Sequence, residues 1–149
     1  MTERISIEQG RKILRDSASE AQIQNAIIAY LRAQRIPHTI TEAKRSYNER
    51  GRLVRRIAPG WPDITGCVLG GVLLAIECKS AKGRLRPDQA RTLHALYQAG
   101  ALVVIARSVD CVIEALKTWR IRECDIAEIC RYRDRPAVRR KPVKAERQT

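Results

Sequence analysis

The chain has 149 residues, a length that fits one domain. It carries 29 Lys+Arg against 16 Asp+Glu, a net charge of +13, and 22 of its basic residues are Arg. That surplus excludes an acidic tail protein and a neutral metabolic enzyme as starting points, and it makes a polyanion the first partner to consider; Arg, whose planar fork matches phosphate oxygens, points to nucleic acid.

Residues 1–16 are charged, with a sparse apolar pattern (Ile5, Ile7, Ile13, Leu14), and read as an arm or a short helix. Ile23, Ile27 and Leu31, joined by Tyr30, predict a helix over 17–35. IPHTI at 36–40 reads as a short strand, and 44–56, with six basic residues, one acidic residue and a break at Gly51, as a basic hairpin or loop. DITGCVL and VLLAIECK are two strands joined around Gly70-Gly71. A loop containing Gly83 follows; Pro87 then opens a helix that Gly100 ends. Residues 101–106 form a buried strand, 109–119 a helix with Val109, Val112, Ile113 and Leu116 on one face, and 124–130 a short helix.

The strand-helix-strand unit from Val72 to Ala106 implies parallel pairing and a right-handed crossover. The expected fold is α/β with a mixed sheet: an arm at 1–16, a domain at 17–131, and a basic, mobile tail at 132–149. The longest apolar run, Cys67 to Ile76, is well short of the roughly 20 residues a membrane helix needs, and the N-terminus has no secretory apolar core. The five cysteines are odd in number and lack CxxC spacing, which points to reduced structural thiols, no zinc and a cytoplasmic setting.

The chemistry concentrates in Gly60-Trp61-Pro62-Asp63 and Glu77-Cys78-Lys79. Residues two apart in a strand share a face, so Glu77 and Lys79 project together at the end of an apolar strand. A hairpin brings Asp63 close to Glu77, and paired carboxylates favour a hard cation such as Mg²⁺. Lys79 is placed to orient or deprotonate a water or to steady developing charge. A two-residue turn at Gly70-Gly71 would set Asp63 opposite Cys78, on the wrong face. The site therefore requires an odd-length loop, a bulge, or an Asp63 that precedes regular pairing.

Glu20 heads the apolar stripe of the first helix; it either reaches a site at the sheet's edge or closes a capping box with Ser17. Gln89, in the first turn after Pro87, either joins the site or bonds a free backbone N–H. Lys44, Arg45, Arg50, Arg52, Arg55 and Arg56 are candidate phosphate contacts, as are Lys82, Arg84 and Arg86. Tyr47 is placed to stack on a base or wedge a junction. Trp61 is expected to pack beside the site, and His38 and His94 to be structural.

Taken together, Glu20 with Gln24, TEAKRS at 41–46, GWPD at 60–63, IECKS at 76–80, GRLRPDQ at 83–89 and AGALVVIARS at 99–108 resemble the virus-type replication-repair nucleases (VRR-NUC) of the PD-(D/E)XK superfamily. The resemblance spans about residues 17–117; the stretch after 119 matches nothing in it. It implies a restriction-endonuclease-like αβββαβ core and Mg²⁺- or Mn²⁺-dependent hydrolysis of DNA phosphodiesters that leaves a 5′-phosphate. It implies Glu20, Asp63, Glu77 and the Cys78 backbone carbonyl around the metal, with Lys79 and Gln89 assisting at the scissile phosphate. Small stand-alone members look like phage-type proteins that dimerise and cut branched DNA such as four-way (Holliday) junctions. The expected function is thus a structure-selective endonuclease of DNA repair or recombination, acting as a homodimer in a bacterial or phage-infected cytoplasm. Apolar surface on the helix after 109 or on 124–130 is the expected dimer interface. The competing readings are a noncatalytic nucleic-acid-binding protein on a nuclease-like core, and a flap or other-specificity nuclease of the same superfamily.

Overall fold

The computed structural model of the protein describes residues 6–41, 46–54 and 57–136. Two helices come first, α1 (Ile7–Ser17) and α2 (Glu20–Ala33). The break between them corrects the expected start of the helix at Ser17. Ser17 is the last residue of α1, its hydroxyl bonded to the Leu14 carbonyl at 3.3 Å. The capping box belongs to Ser19 and Gln22 instead: Ser19 Oγ accepts from the Gln22 N–H at 3.2 Å, and Gln22 Oε1 accepts from the Ser19 N–H at 2.9 Å. Glu20 is therefore the first residue of α2 and caps nothing.

The strands are β1 (His38–Ile40), β2 (Ser46–Tyr47), β3 (Leu53–Val54), β4 (Ile64–Val68), β5 (Val72–Cys78) and β6 (Leu102–Ala106). β2 and β3 form a separate antiparallel hairpin, as the basic segment suggested. The other four make one mixed sheet in the order β1-β4-β5-β6. β4 is antiparallel to both β1 and β5, and β5 and β6 are parallel. The crossover between them is α3 (Pro87–Gln98), and α4 (Val109–Thr118) and α5 (Glu123–Arg133) follow β6 among the described residues. The protein is thus mixed α/β, a four-stranded mixed sheet flanked by helices.

Strand alternation divides the interior into two cores. Leu74, Ile76 and Cys78 of β5 face α2 and α4, where Ile23, Ile27, Leu31, Val112 and Ala115 are buried with them. Ala75, Val103 and Ile105 face the other way, against Ala90 and Leu93 of α3 and Ile129 and Tyr132 of α5. Val112 and Ala115 of α4 and Ile129 and Tyr132 of α5 are buried in the chain's own cores. Tyr132 lies beyond the expected domain limit at 131, and α5 runs on to Arg133.

The outer edge of β6 is sealed by side chains. Asp125 Oδ2 accepts from the Ile105 N–H at 3.2 Å, and Arg122 Nη2 donates to the Ile105 carbonyl at 2.7 Å. The same two side chains form a bidentate pair, Nε–Oδ2 at 3.0 Å and Nη2–Oδ1 at 2.7 Å. For one residue they stand in for a fifth strand, which blunts an edge that would otherwise invite pairing. Among the described residues, no helix is long and apolar enough to cross a membrane. All five cysteines are free.

Candidate active site

The link between β4 and β5 is a three-residue turn, Leu69–Gly71, with Gly70 at φ 79°. It is odd in length, and the register becomes Ile64↔Ile76 through Val68↔Val72. Continued by one residue, that register sets Asp63 opposite Glu77. Ile64 and Ile76 belong to the α2–α4 core, so Asp63 and Glu77 lie on the opposite face, under α3. The Thr41 N–H, donating to the Asp63 carbonyl at 2.7 Å, fixes the backbone there.

Two further features hold Asp63. Its Oδ2 accepts from the Cys78 N–H at 2.8 Å. The preceding loop is pressed onto the start of α3 at Gly60, whose φ is 78° and where a Cβ would sit 2.4 Å from the Asp88 carbonyl oxygen. Only glycine meets both conditions. Pro62 is buried beside it, whereas Trp61 is 37% exposed and is less of a packing residue than expected.

Glu77 is fully buried. Its Oε1 accepts from Lys79 Nζ at 2.7 Å and also from Gln89 Nε2. Its Oε2 is buried without a hydrogen-bond partner. Gln89 makes two contacts at once: its Oε1 accepts from the Arg86 N–H at 3.0 Å while its Nε2 donates to Glu77 Oε1. Arg86 thus starts α3 without a polar side-chain cap of its own. Burial pushes the Glu77 carboxyl up to about 7, against the lowering effect of Lys79 and with a further rise from Asp63. Burial likewise raises Asp63, opposed by the Cys78 N–H and by Lys79. The Cys78 thiol is raised by burial and by the neighbouring carboxylates, so it is inert and its side chain belongs to the core.

Glu20 approaches from the helix layer on the other face of the sheet. It reaches past the end of β5, where its Oε1 lies 3.5 Å from the Ser80 N–H. A Cβ on Gly83 would fall 2.9 Å from the same oxygen. Glu20 also contributes to the rise of Asp63, which places its charge near the pair. Among the described residues, no three His, Cys, Asp or Glu side chains converge into a ready-made metal cluster. Glu20, Asp63 and Glu77 therefore stand as a facing pair with a third carboxylate at the rim. The Cys78 peptide is at the site through its N–H on Asp63.

The pair fits a hard divalent cation. A buried carboxylate oxygen with no donor is rare, and Glu77 Oε2 is one. The donors are all oxygens, the chemistry Mg²⁺ and Mn²⁺ prefer. Asp63 and Glu77 would hold such an ion, with Glu20 close by.

The candidate phosphate contacts are spread over two elements. Arg50 and Arg52 are exposed on the β2–β3 hairpin. Lys82, Arg84 and Arg86 are exposed on the loop that follows Lys79, with Arg86 Nε 3.3 Å from Asp88 Oδ1. Lys44, Arg45, Arg55, Arg56 and most of the C-terminal tail lie outside the described residues. Both histidines make structural contacts: His38 Nδ1 with the Ile36 carbonyl at 2.7 Å, and His94 Nε2 with Arg133 Nη1 at 3.0 Å.

One supporting residue carried no signal in the sequence. Arg107 forms a bidentate pair with Glu128 of α5, at 3.0 and 2.9 Å, and donates to the Gly83 carbonyl at 2.8 Å. It ties α5 to the loop beside Glu20, across a sequence separation that local patterning cannot register. Gly60 was detectable, since a glycine immediately before Trp-Pro-Asp suits a positive φ. Comparison with known proteins finds no matching family model, no matching characterised protein and no matching solved structure.

Proposed function

We propose that the protein is a metal-dependent endodeoxyribonuclease of the restriction-endonuclease-like type, selective for branched DNA and related to the VRR-NUC nucleases. The observation that carries this is Asp63 opposite a fully buried Glu77, whose one oxygen is held by Lys79 and Gln89 and whose other is unpartnered. A surface ion pair has no need of such burial, and a carboxylate raised to about 7 by its surroundings is a mark of functional sites.

Hydrolysis here joins a water oxygen to phosphorus and breaks the bond to the 3′ oxygen, leaving a 5′-phosphate and a 3′-hydroxyl. A bound Mg²⁺ or Mn²⁺ supplies a more acidic water and neutralises phosphate charge. Gln89 fixes the Glu77 carboxylate, and the Cys78 N–H fixes that of Asp63, so both acceptors are preorganised. The Lys79 ammonium, held by Glu77, offers a positive charge to the phosphate oxygens as they gain charge. Lys82, Arg84 and Arg86, exposed on the adjoining loop, are the cations we assign to the neighbouring backbone. A homodimer would give two symmetric cuts in a symmetric junction.

The test is cleavage of an end-labelled four-way junction, a flap and a linear duplex, each with Mg²⁺, Mn²⁺ or EDTA. Cutting of the junction that disappears in EDTA and in Lys79→Ala is expected. Tight binding of all three without cutting under any metal would replace this function with a noncatalytic nucleic-acid-binding one.

A further inference from the structure

The β2–β3 hairpin carries a surface that the carboxylate site does not use. Tyr47 and Leu53 pair directly across the ladder, so both side chains leave the same face of the ribbon. They are 60% and 48% exposed. The chain has only two Trp, four Tyr and no Phe. Of its large aromatics, Tyr47 is more exposed than Trp61, Tyr97 or Trp119.

The turn of the ribbon is closed by backbone and side-chain hydrogen bonds. The Gly51 N–H donates to the Asn48 carbonyl and the Asn48 N–H to the Arg52 carbonyl, each at 2.9 Å. Asn48 Oδ1 accepts from the Arg50 and Arg52 N–H groups at 3.1 and 2.9 Å. Gly51, at φ 68°, completes a three-residue loop with a left-handed third residue. A backbone fixed this way does not have to be ordered when the pair is covered.

Charge decides what covers it. Residues 44–56 hold six basic residues and one acidic residue. A second copy of the hairpin would bring like charges together, whereas a polyanion relieves them. Arg50 and Arg52 are exposed at the turn itself. Duplex DNA offers phosphates along its whole length but hides the faces of its bases, so an aromatic surface gains only where bases are unpaired or unstacked.

We propose that the Tyr47–Leu53 face stacks on unpaired DNA bases, as at a branch point, while Arg50 and Arg52 grip the flanking phosphates. The hairpin is then the element that distinguishes branched from continuous DNA. This rests on the nuclease assignment only for DNA as the ligand.

The test is equilibrium binding in EDTA, which separates recognition from cleavage. A forked DNA with 2-aminopurine at its first unpaired position is compared with a fully paired duplex of equal length. Wild type is expected to prefer the fork and to change the 2-aminopurine emission. Tyr47→Ala is expected to weaken fork binding roughly 5- to 100-fold, to leave duplex binding within about twofold, and to abolish the emission change. Tyr47→Phe is expected to retain all three properties. Equal loss on fork and duplex, or no loss on either, overturns the proposal, as does a wild type with no preference for the fork. Conversion of a dimer to a monomer by Tyr47→Ala in gel filtration also overturns it, in favour of an interface between copies. None of these results touches metal-dependent cutting, which its own assay decides.

Discussion

Gly83 lies so close to Glu20 that an added Cβ would stand 2.9 Å from the carboxylate oxygen and 3.0 Å from Ser80 Oγ. The first of those atoms ends a flexible side chain and Gly83 is not at a positive φ, but the Ser80 backbone nitrogen lies 3.2 Å from the same point, so Gly83→Ala displaces the Glu20 carboxylate and presses slightly on the Ser80 backbone. The expected result is a melting temperature within about 2 °C of wild type and DNA cleavage reduced tenfold or more. Full activity would make Glu20 a bystander at the rim. Gly60→Ala is the contrasting case. There a Cβ would meet backbone at 2.4 Å and φ is 78°, so strain and repulsion act together. The variant is expected to lose several degrees of melting temperature together with activity.

The raised Glu77 carboxyl makes stability depend on pH. The folded protein holds this proton up to about 7, whereas the unfolded chain releases it near 4.5. Its contribution is therefore complete below about 4.5 and is lost as pH rises through about 7. Urea midpoints in EDTA are expected to fall between pH 4.5 and 8 for wild type, with a much shallower slope for Glu77→Gln. Parallel slopes in the two proteins would remove Glu77 as the source. A divalent cation competes with that proton, so the thermal stabilisation given by Mn²⁺ is expected to be larger at pH 8 than at pH 5.5.

Asp125 is 1% exposed and serves both Arg122 and the free N–H of Ile105. Asp125→Ala removes the carboxylate that pairs with Arg122, which keeps its bond to the Ile105 carbonyl, and leaves a strand-edge N–H without its acceptor. A loss of about 3 kcal/mol is expected, read from urea unfolding. A loss below about 1 kcal/mol would mean that water replaces the carboxylate at that edge.

Arg107 connects the same helix to the site loop. Glu128→Gln removes the charge that holds the guanidinium but keeps an acceptor. Arg107→Ala also removes the donor to the Gly83 carbonyl. Cleavage is expected to fall further in Arg107→Ala than in Glu128→Gln, with kcat affected more than KM. Equal and small effects would assign the pair to stability alone.

What was legible in the sequence follows from how local the cause is. The apolar run into Glu77, with Lys79 two residues on, exposes a strand and a shared face directly. Asp63 needed the length of one turn: the same Gly70-Gly71 that suggests a two-residue hairpin is part of a three-residue turn, and that single residue moves Asp63 to the side of Glu77. The sequence offers two Ser-x-x-Glu/Gln boxes, at Ser17–Glu20 and Ser19–Gln22, and nothing within them selects one. The break between α1 and α2 does, and it frees Glu20 to reach the Ser80 N–H. Arg122–Asp125 on β6 and Arg107 on Gly83 were illegible, because each joins groups that only the folded chain brings together. The amide of Gln89 shows the intermediate case: its position in the first turn was readable, but its hold on Glu77 required the sheet beneath it.

The most direct measurement is a calorimetric titration of Mn²⁺ into the protein without DNA at pH 8, for wild type, Asp63→Asn and Glu77→Gln. Binding by wild type that is lost in both variants, with all three folded by circular dichroism, is the expected result. No binding by wild type, or equal binding by all three, would contradict a cation site built on Asp63 and Glu77.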